Sequence, residues 1–115
     1  MFDDVSSSAL RVALSGLSAR QTAIARNIAN IETPGYRAQK VKFEDALNSA
    51  VANGQSPSTV QPSNQRSLEP TRINGSNVNL DEETLSHIDT TMRYTLAIRA
   101  LDGRYSTLRE VIKGV

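Results

Sequence analysis

The sequence predicts an all-α fold built on two long helices. Apolar residues recur in alternating steps of four and three over residues 5–31, the spacing of an amphipathic helix or a coiled coil. Two apolar stripes follow residues 81–113, which predicts a second long helix. We therefore predict a single domain, residues 1–115, whose N- and C-terminal helices pack as a coiled-coil-like hairpin. A Pro-Gly turn, a short helix and a long flexible or extended loop would join the two helices.

The first predicted helix carries a narrow apolar seam. Serines at positions 6–8 provide a plausible N-cap, and Gln21 is the one polar residue within the repeat. A seam this narrow favours a coiled coil, while an amphipathic helix buried inside a monomer is the alternative. The repeat consists of Leu10, Leu14, Leu17, Gln21, Ile24, Ile28 and Ile31.

A sharp turn is predicted to end this helix between Asn30 and Tyr36. Thr33 precedes a proline, which disfavours helical backbone angles at that position. Pro34 and Gly35 suit the second and third positions of a type II turn, of which the third requires a positive φ. A short helix is predicted next, so that turn and helix together span residues 32–52.

Residues 53–79 differ in composition from both helices. Three prolines interrupt any helix, at Pro57, Pro62 and Pro70, and the apolar residues are isolated. Such a segment buries too little apolar surface to offset its ordering entropy. We therefore predict a flexible or extended loop.

The second long helix presents apolar residues on two opposite sides. Asp81 is the expected N-cap, and Gly103 is a weak point in the middle. A single partner helix would cover only one side, so we expect the chain to complete its core on other chains and to be poorly ordered alone. One stripe is Leu85, Ile88, Met92 and Leu96; the other is Tyr94, Ile98, Leu101, Tyr105, Leu108 and Ile112.

Composition argues against catalysis and against several binding functions. The chain has 13 basic and 12 acidic residues, a net charge of +1, and no cysteine. His87 is the only histidine and lacks the spacing of a metal site, and no nucleophile or phosphate-loop motif occurs. Arg37, Lys40 and Lys42 form a small basic patch that we interpret as solvated charge. We expect neither an enzyme, nor a cofactor, nor a membrane-spanning helix.

Four stretches resemble the flagellar axial proteins, the superfamily of rod and hook subunits. NIANIETPGY, at 27–36, is similar to the signature that these proteins share after their first helix. FEDAL at 43–47, NGSNVNLDEE at 74–83 and MRYTLAIRALDGRYSTLREVI at 92–112 resemble one member family, the FlgB proximal rod proteins, as does the short length.

This resemblance implies a structural subunit of the bacterial flagellar rod. Such a subunit would polymerise near the base of the rod through its terminal helices and transmit torque. Its partners would be other FlgB-like subunits, neighbouring rod proteins, the FliE adapter and the MS ring. The flagellar type III export apparatus would deliver it unfolded, without a cleaved signal peptide, to the rod within the periplasm. Neither nucleic-acid binding nor membrane insertion is implied.

Three sets of residues would then support assembly. The signature turn comprises Asn27, Asn30, Thr33, Pro34, Gly35 and Tyr36, and its two asparagines are expected to satisfy exposed carbonyls at a subunit contact. The helix–helix seam would join Leu10, Leu14, Leu17, Ile24 and Ile28 to Ile98, Leu101, Tyr105, Leu108 and Ile112. The expected subunit contacts are Leu85, Ile88, Met92 and Leu96.

Three alternative functions stay open at the level of sequence. A sibling rod protein of the same axis would share the signature turn. A cytoplasmic coiled-coil adaptor would explain the heptads but not the turn and the loop that follow them. A nucleic-acid binder would use Arg20, Arg26, Arg37, Lys40 and Lys42, and its binding would depend steeply on salt.

Overall fold

The computed structural model describes residues 5–112, with the backbone alone at 107, 108 and 110–112. The molecule is elongated and measures 64 × 27 × 14 Å along its principal axes. The elements, in chain order, are helix α1 (Val5–Ala29), strand β1 (Gln39–Lys42), helix α2 (Glu44–Ala52), a 3₁₀ turn (Pro57–Thr59), strand β2 (Ser63–Arg66) and helix α3 (Leu80–Ile112).

The two long helices run antiparallel. At one end Asn27 of α1 donates a hydrogen bond to Glu83 of α3 at 3.0 Å. At the other end Arg104 of α3 donates to the hydroxyl of Ser7 at 3.1 Å. The 33 residues of α3 make a rod of about 50 Å at 1.5 Å per residue. The prediction of long N- and C-terminal helices is confirmed.

A small β-sheet corrects the all-α prediction. Strands β1 and β2 pair antiparallel, with Gln39 opposite Arg66 and Lys42 opposite Ser63. All four residues of β2 are exposed and polar, so the strand lacks the apolar alternation by which a sequence reveals one. Part of the segment expected to be a flexible or extended loop is therefore a strand held against β1.

The core of the subunit is built around α1. Leu17 and Ala23 of α1 pack with Val41 of β1 and with Phe43, the residue before α2. Tyr94 of α3 packs against the same cluster from the other long helix. Helix α1 is thus the common partner of α3, β1 and α2, and the hairpin alone does not constitute the fold.

The inner face of α3 is not an apolar stripe. Its buried residues, Glu83, Thr90 and Ala97, lie seven residues apart and therefore share one side of the helix. Ile98, predicted to lie in the seam, is rotated away from that side and is 44% exposed. Tyr94 and Leu101 of the predicted stripe are half-buried on this same side, so the predicted stripe faces α1, but small and polar side chains occupy the most buried positions of that side.

The other seam residues divide between buried and exposed positions. Leu17 and Ile24 are buried, and Leu10, Leu14 and Leu101 are half-buried. Ile28 and Tyr105 are exposed, so the structure does not place them in a buried seam. Leu108 and Ile112 have side chains outside the described set.

Helix α3 begins with a different cap from the expected Asp81. The side-chain oxygen of Asn79 accepts hydrogen bonds from the amides of Asp81 and Glu82, at 3.0 and 3.3 Å. Asn79 therefore satisfies donors of the first turn that would otherwise lack partners.

Candidate functional site

Asn27, the first residue of the signature turn, is completely buried at the end of α1. Its carboxamide oxygen accepts from the Gln39 amide at 2.8 Å, and its nitrogen donates to the Gln39 carbonyl at 3.0 Å. The same nitrogen donates to Glu83 at 3.0 Å, and the Tyr36 hydroxyl donates to the oxygen at 3.4 Å. One side chain thus joins α1, β1 and α3. All these partners lie within the subunit, whereas the sequence led us to expect partners at a subunit contact.

Asn30 also acts within its own chain. Its side-chain nitrogen donates to the carbonyl of Arg26 at 2.8 Å, close to the end of α1. Its oxygen accepts from the Thr33 hydroxyl at 3.1 Å. Asn30 therefore satisfies a carbonyl, as expected, but that carbonyl belongs to the same helix.

The backbone reverses at Thr33–Tyr36. The Tyr36 amide donates to the Thr33 carbonyl at 3.2 Å. Gly35 has φ +76°, a value at which a side chain is disfavoured. Pro34 is exposed, so its contribution is conformational.

The turn is clasped by the segment NGSNVN at 74–79, part of the third stretch of the sequence resemblance. The Gly35 amide donates to the Asn74 carbonyl at 2.8 Å. A Cβ added at Gly75, which has φ +85°, would lie 3.1 Å from the Gly35 Cα, so the two backbones cross without side chains between them. The two signature segments therefore form one structure although about forty residues separate them.

Arg72 and Ser76 strengthen this clasp. The Arg72 guanidinium donates to the Ile31 carbonyl and lies 3.6 Å from the Glu32 carboxylate. The Ser76 hydroxyl, fully buried, donates to the same carbonyl at 3.3 Å. The carbonyl of Ile31, just past the end of α1, is thus bonded by side chains of the returning loop.

Asn77 closes the end of the sheet. Its oxygen accepts from the Ala38 amide at 2.6 Å, and its nitrogen donates to the carbonyls of Ser67 and Glu69, both at 3.2 Å. The Ser67 amide donates to the Ala38 carbonyl at 2.7 Å. Asn77 therefore bridges the two segments where the backbone ladder stops, and Asn27 makes similar bonds to the backbone at the outer edge of β1.

Glu83 is a buried carboxylate at the start of α3. Besides Asn27, it lies 3.6 Å from the Lys40 ammonium, and its own side chain is 2% exposed. A buried carboxylate requires such partners, since desolvation without them is costly. These partners of Glu83 are distant in sequence, so the sequence alone did not predict them.

A second polar contact holds α2 to α1. The Arg20 guanidinium donates to both carboxylate oxygens of Glu44, at 2.6 and 2.7 Å, and to the Val41 carbonyl at 2.8 Å. It also lies 5.1 Å from the centre of the Phe43 ring. The hydrogen bonds from Arg20 hold the pKa of Glu44 below its ordinary value of 4.5, against partial desolvation, which raises it.

Glu44 should therefore make stability depend on acid pH. Its pKa is lower in the folded chain, so its contribution is present above the unfolded pKa and is lost as the pH falls through the folded pKa. We expect the difference in free energy of unfolding between wild type and Glu44→Gln to shrink as the pH is lowered from neutral into this range. Urea titrations at a series of pH values, in an osmolyte that favours the folded state, measure it, with Asp45→Gln as the control. A difference independent of pH would contradict the pairing.

Thr90 is the one buried side chain of the described residues whose polar atom has no hydrogen-bond partner. Replacing it by valine removes the unpaired hydroxyl and keeps the branched shape. We expect Thr90→Val to raise the free energy of unfolding by about 1 kcal/mol. The neighbouring exposed Thr91→Val should change it by less than about 0.5 kcal/mol. Loss of stability on Thr90→Val, measured by urea denaturation in an osmolyte that favours the folded state, would show that the hydroxyl has a partner.

Helix α3 displays an apolar surface, which we call the α3 stripe: Leu85, Ile88, Met92 and Leu96. Exposed fractions of these side chains lie between 56% and 67%. Their spacing of three, four and four residues places them on one side of the helix. No contact within the described subunit buries this side.

The described residues offer little for other chemistry. Among residues 5–112, no group of three or more His, Cys, Asp or Glu side chains could hold a metal ion. No helix in that range combines the length and the apolar character needed to cross a membrane.

Comparison with known proteins agrees with these features. A family model described as flagella basal body rod protein matches residues 10–37, which contain most of α1 and the turn. The flagellar basal body rod protein FlgB of Borrelia hermsii is 30% identical over 118 aligned residues, which cover 84% of this chain and 87% of that protein. The chain belongs to the FlgB family of flagellar basal body rod proteins.

Other FlgB proteins extend the similarity. That of Bacillus subtilis (strain 168) is 28% identical and covers 91% of both chains. That of Escherichia coli (strain K12) is 26% identical over 82% of this chain and 83% of its own. The FlgB family consists of structural rod proteins, so the expectation of a structural subunit rather than an enzyme is confirmed.

The sequence predicted the turn but not most of the residues that contact it or lie beside it. Asn77, Arg72 and Glu83 were not proposed as functional residues, although all three lie in or near the quoted NGSNVNLDEE stretch. A signal was available in that stretch, because three asparagines within six residues are unusual outside turns and caps.

Proposed function

We propose that the chain is a subunit of the proximal rod of the flagellar basal body and polymerises through its terminal helices. The observation that carries this proposal is the α3 stripe on a member of the FlgB family. A stripe of large apolar side chains on a monomer indicates a protein contact. The opposite side of α3 is already occupied by α1, which leaves the α3 stripe for neighbouring subunits.

Charge placed on the α3 stripe should block assembly without unfolding the subunit. We expect Leu85→Glu with Met92→Glu to abolish swimming and to remove the protein from purified basal bodies. Thr84→Glu with Thr91→Glu, on adjacent exposed positions of α3, is the matched control and should leave most assembly intact. Normal swimming by the stripe variant would remove the α3 stripe from the subunit interface.

The remaining parts of the proposal concern delivery and position. The subunit would be exported unfolded by the flagellar type III apparatus, join the rod within the periplasm near the FliE adapter and the MS ring, and transmit torque. Such an axis is built from head-to-tail contacts that do not close on themselves. Circular dichroism should show an isolated chain that is largely disordered in dilute solution and gains helix on assembly. A stable monomer with a cooperative melt would count against unfolded export.

The signature turn would serve this assembly by ending α1 at a fixed place. The positive φ of Gly35 and the hydrogen bond from its amide to the Asn74 carbonyl support that role. We expect Pro34→Ala with Gly35→Ala to misdirect the following chain and to impair swimming strongly. The double variant Pro70→Ala with Gly54→Ala, which alters the same residue types outside the turn, is the comparison. Normal rods from the turn variant would exclude this role.

The cytoplasmic adaptor is the alternative that cell fractionation tests. A rod subunit is expected in purified basal bodies. A pool confined to the soluble cytoplasm and absent from basal bodies would favour the adaptor.

A further inference from the structure

The two-stranded sheet has two outer edges, and α1 closes one of them. Gln39 of β1 exchanges both of its outward backbone hydrogen bonds with the side chain of Asn27. The outward carbonyl of Val41, two residues on, accepts from Arg20 at 2.8 Å. Side chains of α1 therefore occupy positions that a third strand would take beside β1.

The other edge, along β2, is open. In an antiparallel pair, the backbone groups of alternate residues point toward the partner strand. The hydrogen bond from the Ser67 amide to the Ala38 carbonyl shows that Ser67 points toward β1, and so do the backbone groups of Gln65 and Ser63. The backbone amides and carbonyls of Asn64 and Arg66 then point away from the sheet. All of β2 is exposed, and within residues 5–112 no backbone hydrogen bond outside the ladder involves Asn64 or Arg66.

The strand is short but lacks proline and lysine, two residues that prevent pairing at an open edge. Proteins commonly block an open edge with proline or lysine in the strand. The sequence of β2 is SNQR, and the nearest prolines, Pro62 and Pro70, lie outside it. Donors and acceptors of this edge thus stay available at the two-residue spacing of an extended peptide.

A groove beside β2 can receive side chains of an added strand. It has a volume of about 220 Å³ and lies between β2 and α1. Ala19, Ala23 and Val41 provide its apolar lining, and Arg26 and Asn64 are polar groups on its wall. Recognition by strand addition combines backbone bonds at an edge with such pockets for alternate side chains.

The strand pair itself carries positive charge, and the nearest acidic residues, Glu44, Asp45 and Glu69, follow the ends of the two strands. Residues 37–42 and 60–68 contain four basic residues and no acidic residue, and Arg26 adds a fifth cation at the groove. Lys40 is paired with Glu83, whereas no ion pair of the described part involves Arg26, Lys42 or Arg66. Opposite charge on a partner would steer its association with this surface.

We propose that β2 is a docking edge for an extended acidic segment of a neighbouring protein in the rod, which adds as a third strand. The inference rests on the proposed function, because it places the partner in the assembled rod. A polypeptide fits better than a nucleic acid, since the edge presents carbonyls beside its amides and carbonyls repel phosphate. The basic patch at Arg37, Lys40 and Lys42 would thereby contribute to partner choice.

Hydrogen exchange in purified basal bodies tests the docking edge. Exchange is followed by mass spectrometry with fragmentation to single residues in assembled rods. We expect the outward amides of Asn64 and Arg66 to exchange as slowly in the rod as the inward amide of Gln65, about 100-fold more slowly than unprotected amides. Gln65 is the internal control, because its inward amide pairs with β1 in the folded subunit whether or not a third strand is present. Free exchange at Asn64 and Arg66 beside a protected Gln65 would overturn the proposal.

Charge reversal tests the acidic character of the partner. Lys42→Glu with Arg66→Glu should reduce the protection of the outward amides by about tenfold or more. Arg99→Glu, at an exposed position of α3, should leave this protection unchanged. Retained protection in the double variant would overturn the acidic partner. Because the chain lacks cysteine, Asn64→Cys provides a unique cross-linking site. A cross-link between two copies at position 64 would instead identify self-pairing of β2 and overturn the proposal.

Failure of this inference is distinguishable from failure of the proposed function. If the chain is absent from basal bodies, the rod function itself is wrong. If the chain is present and only the exchange at Asn64 and Arg66 is free, the rod function stands and the docking edge does not.

Discussion

Asn27→Ala is expected to lower the free energy of unfolding by about 3 kcal/mol or more, since each buried polar group left unpaired costs roughly 1–3 kcal/mol. The substitution removes two hydrogen bonds to Gln39 and one to Glu83. It leaves a buried carboxylate with Lys40 as its remaining partner, at 3.6 Å. Urea denaturation followed by circular dichroism measures the change, in the presence of an osmolyte that favours burial.

The matched control for this substitution is Asn48→Ala. Asn48 is an exposed asparagine on α2 and should change stability by less than about 0.5 kcal/mol. Similar effects of the two substitutions would show that the buried network around Asn27 contributes nothing specific.

A charge exchange isolates the contact between Asn27 and Glu83. Asn27→Asp places a second carboxylate beside Glu83, so it should destabilise the fold about as much as alanine. Combined with Glu83→Gln, the pair again contains one carboxylate and one carboxamide. Contacting residues show coupling of roughly 0.5–3 kcal/mol in double-mutant cycles. We expect recovery within that range, and strict additivity would contradict direct contact.

The hydrogen bonds of Asn27 join residues distant in sequence, and this distance separates the parts of the fold that the sequence could predict from those that it could not. Heptad spacing located α1 and α3 because helix periodicity is a local property. It did not reveal which side chains of the inner face of α3 are fully buried, because Glu83, Thr90 and Ala97 are buried whereas Ile98 and Tyr105 of the predicted seam are exposed. A polar inner face is stabilised by partners distant in sequence, and periodicity contains no information about them.

The sheet was unpredictable for a related reason. Strand β2 has no buried residue, and its pairing with β1 joins positions more than twenty residues apart. What holds the strands in place is a set of carboxamides, Asn27 at the edge of β1 and Asn77 at the end of the ladder. Asparagine in a loop usually indicates a turn, so a role as a substitute for backbone pairing is evident only in three dimensions.

Gly16→Ala and Gly103→Ala are the same chemical change and are expected to have opposite effects. Both glycines lie inside long helices, where alanine is intrinsically better by about 1 kcal/mol. A Cβ at Gly103 would meet nothing within 4 Å, so Gly103→Ala should gain about that much. A Cβ at Gly16 would lie 2.6 Å from two ring carbons of Phe43, a distance at which the ring must move.

The Phe43 ring cannot move freely. It packs in the core with Leu17 and Val41 and lies beneath the guanidinium of Arg20, which is itself bound to Glu44. Overpacking of this kind costs roughly 1–3 kcal/mol, which exceeds the helix gain. We therefore expect Gly16→Ala to be destabilising overall, measured by the same urea titration.

Phe43→Leu in the Gly16→Ala background separates steric conflict from helix propensity. The smaller side chain loses apolar contact by itself, but it relieves the overlap with the new Cβ. The two substitutions together should therefore cost less than the sum of their separate costs. If Gly16→Ala stabilises the chain as much as Gly103→Ala does, the ring yields without cost and close packing of Phe43 on α1 does not fix the position of α2.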